Sequence, residues 1–128
     1  MSEIKAELLY TKEHEWLKVD GDLVTIGITD FAQSSLGDIV FVELPEAETQ
    51  YSANETFGVV ESIKSVSDLY TPVSGLVLEK NENVESSPED LNSKPYDSWL
   101  IKVKLSNIDE LNSLMSSEQY KEFCDQNS

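Results

Sequence analysis

The chain has 128 residues, a length that fits one domain with a buried core. Its formal net charge is -16, from 25 acidic and 9 basic residues, whereas its 39% hydrophobic content is ordinary for a folded protein. Because such a surface repels phosphate backbones and anionic lipids, we expect neither nucleic acid nor membrane partners.

Cys124 and His14 are the single cysteine and the single histidine. One cysteine cannot form an internal disulfide, a thiolate zinc site or a CxxC redox pair, and one histidine cannot supply a His-rich metal site. We expect a packing role for Cys124 and a structural hydrogen bond for His14 at the start of a strand. The sequence offers no plausible nucleophile and base, so catalysis by this chain alone is not expected.

The first ten residues, "MSEIKAELLY", resemble neither a secretory signal nor an Arg-rich transit peptide. No apolar run in the sequence approaches membrane-spanning length. We therefore expect a cytoplasmic protein, or a mitochondrial matrix protein if the chain is a processed organellar one.

Two elements are predicted in the first third of the chain. The segment "EWLKVDGDLVTIGI" alternates on either side of Asp20-Gly21, which predicts a hairpin of antiparallel strands. The segment "TDFAQSSLG" predicts a short helix near residues 30 to 36, with Thr29 or Asp30 as its N-cap and Gly37 as its stop.

Two similar apolar units follow, and Lys64 lies in the turn "SIKS" between them. The first unit is "DIVFVEL", a polar stretch and "TFGVVES"; the second is "GLVLEK", a polar loop from Asn81 to Asp97 and "SWLIKVKL". If the units pair as two interlocked β-halves, Lys64 stands in solvent on a rigid hairpin. Sequence identity between the two units is weak, so their similar order of apolar strands and polar loops does not by itself establish a repeat.

The chain ends in predicted helices that pack on the β-core. Ser106 and Asp109 resemble a capping box at the start of this segment. Apolar residues recur there at helical spacing, at Leu111, Leu114 and Met115 and again at Tyr120, Phe123 and Cys124. We expect one domain over residues 1–128, with a β-core at about 9–105 and a C-terminal helical segment at about 107–124.

Four blocks of the sequence resemble the H-protein family of the glycine cleavage system. They are "HEW" at 14–16, "GITDFAQSSLGDIVFVELPE" at 27–46, "FGVVESIKSVSDLYTPVSG" at 57–75 and "NENV" at 81–84. The resemblance extends from about Leu9 to Phe123. It implies a mainly β, lipoyl/biotinyl-type barrel-sandwich hybrid of two interlocked β-halves, with a short internal helix and C-terminal helices.

The resemblance also implies a function, in which Lys64 carries lipoate in amide linkage and the protein is a monomeric carrier without catalysis of its own. Such a carrier takes the aminomethyl group of glycine from a pyridoxal-phosphate glycine decarboxylase to a tetrahydrofolate-dependent aminomethyltransferase. Dihydrolipoamide dehydrogenase then reoxidises the arm, and a lipoate ligase or lipoyl transferase attaches it in the first place.

In this family the loaded arm folds against the protein, and the resemblance places Glu15 and Asp68 in the cleft that receives it. Glu13 stands where a small hydroxyl residue can occur, and it adds a third carboxylate. Carboxylates in a cleft that excludes water would hold an ammonium group. The chain departs from the family in two loops, with Glu48 where a glycine often follows "LPE" and with a short, glycine-free link between Tyr96 and Trp99.

Three alternatives remain open at this point. The chain could be a lipoyl relay or donor for 2-oxoacid dehydrogenase complexes. A biotin carrier also places a lysine on a hairpin tip, but normally between methionines, whereas Ile63 and Ser65 flank Lys64. The third alternative is an unmodified β-domain that binds proteins through its acidic face.

Overall fold

The computed structural model describes residues 3–127 and contains two antiparallel sheets. The larger sheet has the strand order β1-β2-β3-β9-β8-β5 and the smaller sheet has the order β4-β6-β7. The strands are β1 Leu9–Tyr10, β2 Glu15–Asp20, β3 Leu23–Ile28, β4 Ile39–Glu43, β5 Gln50–Tyr51, β6 Thr56–Ser62, β7 Val66–Tyr70, β8 Gly75–Lys80 and β9 Ile101–Leu105.

The helices are short and lie around the sheets. They are α1 Asp30–Leu36, α2 Glu82–Ser86, α3 Asp90–Ser93, a 3-10 helix at Ile108–Ser113 and α4 Ser117–Asn127. Each helix of residues 3–127 is too short or too polar to span a bilayer.

The predicted helix near residues 30 to 36 is confirmed as α1. The Thr29 hydroxyl accepts a hydrogen bond from the Ala32 backbone N–H at 3.2 Å, which caps the first turn. The helix ends at Gly37, whose φ of 81° lies in the region that favours glycine.

The two predicted apolar units form separate pairs of strands. In the first unit β4 pairs with β6 in the smaller sheet, and in the second unit β8 pairs with β9 in the larger sheet. Strand β5 lies in the polar stretch of the first unit, yet it pairs with β8 of the second. The chain therefore crosses between the sheets, and the mainly β architecture of two interlocked halves is confirmed; the sheets do not close into a barrel.

Three local predictions were wrong in detail. The segment from Asn81 to Asp97 was predicted as a polar loop, but it contains α2 and α3 because each buries one apolar residue, Val84 and Leu91. The predicted hairpin of antiparallel strands is confirmed as β2 and β3, but its loop consists of residues 21 and 22, since Asp20 already pairs with Leu23 in the β-ladder. The cap of the 3-10 helix is one residue later than expected, because the Asn107 side chain, not that of Ser106, accepts from the Asp109 backbone N–H.

Apolar side chains of both sheets form one core, to which α2 and α3 contribute Val84 and Leu91. A second cluster joins the C-terminal helix to the N-terminal hairpin. Its buried members are Leu8, Tyr10, Trp16, Tyr120 and Cys124. The expected packing of the Tyr120 and Cys124 face of α4 on the β-core is therefore confirmed.

Candidate functional site

Lys64 is exposed at the tip of the β6–β7 hairpin, between Ile63 and Ser65. A buried serine holds this turn together. The hydroxyl of Ser62 accepts hydrogen bonds from the backbone N–H of Lys64 at 3.3 Å and of Ser65 at 3.2 Å. The backbone N–H of Ser62 donates in turn to the Ser65 carbonyl at 2.8 Å. The main chain under Lys64 is therefore fixed, while the side chain remains accessible.

The corner between α1 and β4, which is formed by residues 37 and 38, supports the same turn from the side. The Ile63 backbone N–H donates to the Asp38 carbonyl at 3.0 Å. The side chain of Lys64 passes over Gly37, because a Cβ atom built on Gly37 would lie 3.3 Å from the Lys64 Cε. Glycine at position 37 thus has two roles: it adopts the positive φ that ends α1, and it leaves room for the lysine side chain to pass close to the backbone.

A cleft of about 500 Å³ opens beside the hairpin. One wall is β7, which is an edge strand of the smaller sheet, and the others are α1 and the segment that enters β2. The structure brings the three acids singled out in the sequence together in its lining, as Glu13, Glu15 and Asp68. Val66 also lines the cleft, so the cleft begins two residues beyond Lys64.

Glu15 is the buried acid of this cleft, with only 3% of its surface exposed. Its carboxyl oxygens accept hydrogen bonds from the Thr11 hydroxyl at 3.1 Å and from the Tyr70 backbone N–H at 3.2 Å. Burial raises the pKa of Glu15 to about 8, and the negative charge of Glu13 adds to the shift. The two hydrogen bonds oppose the shift without cancelling it. Glu15 is therefore protonated at neutral pH when no cation is near.

Glu13 and Asp68 are exposed and lie at the rim of the cleft. Asp68 belongs to β7, where it pairs with Val59 of β6. The cleft consequently has one buried acid and two solvated ones. A cationic group that entered it would meet Glu15 at the protected end and the other two carboxylates at the opening.

His14 has a structural role next to the cleft. Its Nδ1 lies 2.8 Å from the Tyr120 hydroxyl, and its ring stacks on Phe31 with centroids 4.4 Å apart. Burial lowers the pKa of His14, which keeps the ring neutral at pH 7. Within residues 3–127, no cluster of His, Cys, Asp and Glu side chains has the arrangement to hold a metal ion.

Sequence reasoning gave Ser62 no role beyond flanking the lysine, and it missed the contributions of Asp38 and Gly37 to the turn. A serine at each end of "SIKS" was a usable signal, because serine hydroxyls accept hydrogen bonds from backbone N–H groups two or three residues on. The contact between the α1–β4 corner and Ile63 had no comparable signal in the sequence, since the partners lie far apart in the chain.

A small β-domain that presents one exposed lysine on a rigid hairpin beside an acid-lined cleft has the features of a carrier domain. The family model for the glycine cleavage H-protein matches residues 8–127. This chain belongs to that family.

Curated relatives and a solved structure agree with this assignment. The glycine cleavage system H protein of Staphylococcus saprophyticus is 58% identical over 120 residues, which cover 93% of this chain and 95% of the relative. That of Halalkalibacterium halodurans is 56% identical over 123 residues, covering 95% and 96%. The crystal structure of a glycine cleavage system H protein from Mycobacterium marinum matches with a TM-score of 0.84 and 37% identity, over 97% of this chain and 98% of that one.

Proposed function

We propose that this chain is the lipoyl carrier of a glycine cleavage system and that Lys64 is its attachment site. The family to which the chain belongs is a family of lipoate-bearing carriers without catalysis of their own. The observation that carries the choice of Lys64 is its exposure on a turn whose backbone is fixed by Ser62 and Asp38. A modifying enzyme would meet the same local shape in every molecule.

Attachment requires the Lys64 amine as a nucleophile and an activated lipoyl carboxyl, such as a mixed anhydride with a phosphate. Nζ attacks the carbonyl carbon, a C–N bond forms, the C–O bond to the phosphate breaks and Nζ loses a proton. A lipoate ligase or lipoyl transferase would supply the activated acyl group. The amide removes the charge of the lysine and leaves an uncharged tether.

The residues beside Lys64 fit a tethered arm. The cleft begins at Val66 on the same hairpin, two residues from Lys64, so a group held on Lys64 lies close to its opening. Held on Lys64, the lipoyl group would supply the sulfur chemistry: a dithiolane that opens to carry the aminomethyl unit from glycine decarboxylase to the aminomethyltransferase, and whose disulfide dihydrolipoamide dehydrogenase would restore. Tethering keeps this sulfur at high effective concentration for each enzyme.

Within this proposal, the cleft protects the cationic end of the loaded arm. The walls formed by β7 and α1 restrict water, and Glu15, Asp68 and Glu13 offer carboxylates to an ammonium. An ammonium beside Glu15 favours the charged form of the carboxyl, so its arrival would release the proton that burial keeps there. Glu13 adds charge at the opening, where it attracts the cation without being desolvated.

We further propose that the chain is a single domain that acts as a monomer, with a β-core at about 9–105 and a helical segment at about 107–124. Residues 1, 2 and 128, which the sequence analysis included in this domain, lie outside the described residues. The curated relatives cited above come from bacteria, so we propose a cytoplasmic location over a mitochondrial one.

The test is reconstitution with purified partners. Lipoylated protein and a Lys64→Arg variant would be compared in glycine-bicarbonate exchange with glycine decarboxylase, and in NADH formation with all three enzymes. We expect activity only with the lipoylated wild-type chain. If the modified protein shows no activity and its lipoyl group is instead transferred to a 2-oxoacid dehydrogenase lipoyl domain, the glycine cleavage function is contradicted and the relay function is supported.

A further inference from the structure

Asn92 of α3 connects to the Lys64 hairpin through the α1–β4 corner. Its side-chain amide N–H groups donate to the Gly37 carbonyl at 2.9 Å and to the Gln33 side-chain oxygen at 3.0 Å. Its side-chain oxygen accepts from the Ile39 backbone N–H at 2.8 Å. One half-buried side chain therefore holds the end of α1 and the start of β4 at the same time.

The two backbone groups that Asn92 holds lie on either side of Asp38. Because the carbonyl of Gly37 and the N–H of Ile39 are both fixed, the peptide units that flank Asp38 cannot rotate freely. The Asp38 carbonyl, which lies between them, is the acceptor for the Ile63 N–H at 3.0 Å. Ile63 immediately precedes Lys64, so the orientation of the lysine turn depends on that carbonyl.

The pairing of β4 with β6 is a second connection between Asn92 and the lysine turn. Ile39, which donates to Asn92, pairs with Ser62, and the Ser62 hydroxyl accepts the N–H of Lys64. The α1–β4 corner thus supports the turn at Ile63 through a hydrogen bond and at Ser62 through the register of the strands. Both routes start at backbone groups that Asn92 fixes.

We propose that Asn92 is a positioning residue for Lys64, which it presents to the lipoylating enzyme by fixing the Asp38 carbonyl under Ile63. The inference rests on the proposed function, since it assumes that Lys64 is the modified residue. Asn92 acts through the backbone at Gly37 and Ile39 and takes no part in amide formation. Its removal is expected to broaden the conformations of the turn. A misplacement of the reacting group by about 1 Å, even one caused by a distant substitution, is enough to slow a reaction strongly.

The chain offers a matched control in Asn81, a second half-buried asparagine. Its side chain accepts from the Asn83 backbone N–H at 3.2 Å and donates to the Trp99 carbonyl at 2.8 Å. None of these partners belongs to the α1–β4 corner or to the lysine hairpin. Asn81→Ala therefore removes comparable hydrogen bonds without touching the proposed support of Lys64.

The experiment compares wild-type chain, Asn92→Ala and Asn81→Ala in two measurements. The first is kcat/KM for lipoylation by a purified lipoate ligase, read by intact mass. The second is hydrogen exchange at the Ile63 amide, with the Val77 amide, which donates to Thr49, as a reference in β8 of the larger sheet. For Asn92→Ala we expect lipoylation slowed by about tenfold and exchange at Ile63 accelerated by at least about tenfold relative to Val77.

For Asn81→Ala we expect lipoylation within about twofold of wild type and no selective change at Ile63. Equal lipoylation rates for the two variants, or an unchanged Ile63 amide in Asn92→Ala, would overturn the positioning role and leave the carrier function intact. A wild-type chain that gains no lipoyl group at Lys64 would overturn the carrier function and this inference together.

Discussion

The Glu15 carboxyl group accepts a hydrogen bond from the Tyr70 backbone N–H, 3.2 Å away at the end of β7. This contact joins the two sheets across the cleft, because Glu15 belongs to the larger sheet and Tyr70 to the smaller one. The same hydrogen bond holds Glu15 in a buried site, where desolvation disfavours the charged form of its carboxyl group. The pKa of Glu15 rises from 4.5 to about 8, chiefly through desolvation.

The first prediction concerns the stability of the protein between pH 5 and 8. In this window the folded state holds a proton on Glu15 that the unfolded chain has released, so the free energy of unfolding falls as pH rises. The contribution is full below pH 4.5 and lost above about 8, with a slope of at most about 1.4 kcal/mol per pH unit. Glu15→Gln should flatten the pH dependence measured by urea unfolding and should be more stable than wild type at pH 8.

Glu13→Gln is the matched control for this series. Glu13 is exposed at the same cleft, so its replacement should leave most of the slope in place. A Glu15→Gln curve parallel to that of wild type would show that Glu15 titrates near its ordinary pKa and that the cleft does not desolvate it.

The second prediction concerns Asp68, the rim acid closest to the lysine in the chain. Asp68→Asn removes one carboxylate from the opening of the cleft but leaves the β6–β7 ladder intact. We expect the lipoylated variant to lose a one-carbon unit derived from radiolabelled glycine several-fold faster than wild type. The measurement is the label retained on the protein after gel filtration at successive times.

Glu43→Gln provides the control, because Glu43 is exposed on β4, at the opposite edge of the same sheet, and does not line the cleft. If Asp68→Asn and Glu43→Gln retain the label as long as wild type does, the carboxylate at the opening does not protect the loaded arm.

The third prediction concerns the attachment of α4 to the cleft. The buried Tyr120 hydroxyl lies 2.7 Å from the Thr29 hydroxyl and 2.8 Å from His14 Nδ1. Tyr120→Phe keeps the ring that stacks on Tyr10 but removes the hydrogen bonds to Thr29 and His14. We expect a loss of about 1–3 kcal/mol in the free energy of unfolding, measured by urea denaturation.

Tyr70→Phe is the comparison for this variant, since Tyr70 is 38% exposed. It should change stability by no more than about 0.5 kcal/mol. Equal small losses for the two variants would mean that the Tyr120 hydroxyl does not hold α4 in place.

The fourth prediction follows from the backbone at Glu48, which has a φ of 70°. The family resemblance implies a glycine in this loop, and a positive φ is a conformation that glycine adopts without strain. Glu48→Gly removes left-handed strain of about 1–2 kcal/mol but adds about 0.4–1 kcal/mol of unfolded-state entropy, so stability should stay level or rise slightly. Glu48→Val should be destabilising, because a β-branched residue rarely adopts positive φ.

Thermal unfolding of both variants checks this prediction. The Glu48 N–H donates to the Val77 carbonyl, and neither substitution removes that hydrogen bond. A Val variant as stable as the Gly variant would show that residue 48 does not hold a left-handed conformation.

Local signals made part of this structure predictable. The segment "TDFAQSSLG" contains the residue types that cap α1 and end it, Thr29 and Gly37. The exposed turn at Lys64 was predicted from the apolar strands on both sides of it. The helices α2 and α3 were missed because each is about one turn long and buries a single apolar residue, which leaves no periodic pattern to detect.

The candidate functional site was likewise only partly predictable from the sequence. Glu15 and Asp68 were named through the family resemblance, and no spacing could have joined them, because they lie on strands of different sheets. The burial that shifts the pKa of Glu15 arises only when β7 covers it. Asn92 reaches the α1–β4 corner across more than fifty positions of sequence, so its contacts depend on the folded chain.

The most direct test of the central claim is intact mass followed by peptide mapping of the chain produced with lipoate and a lipoate ligase. Lys64→Arg and Lys12→Arg would be treated in parallel, since Lys12 is another exposed lysine. We predict one lipoyl increment that maps to Lys64, persists in Lys12→Arg and is absent from Lys64→Arg. An increment on another lysine, or an unmodified chain beside a control lipoyl domain that is fully modified, would contradict the account.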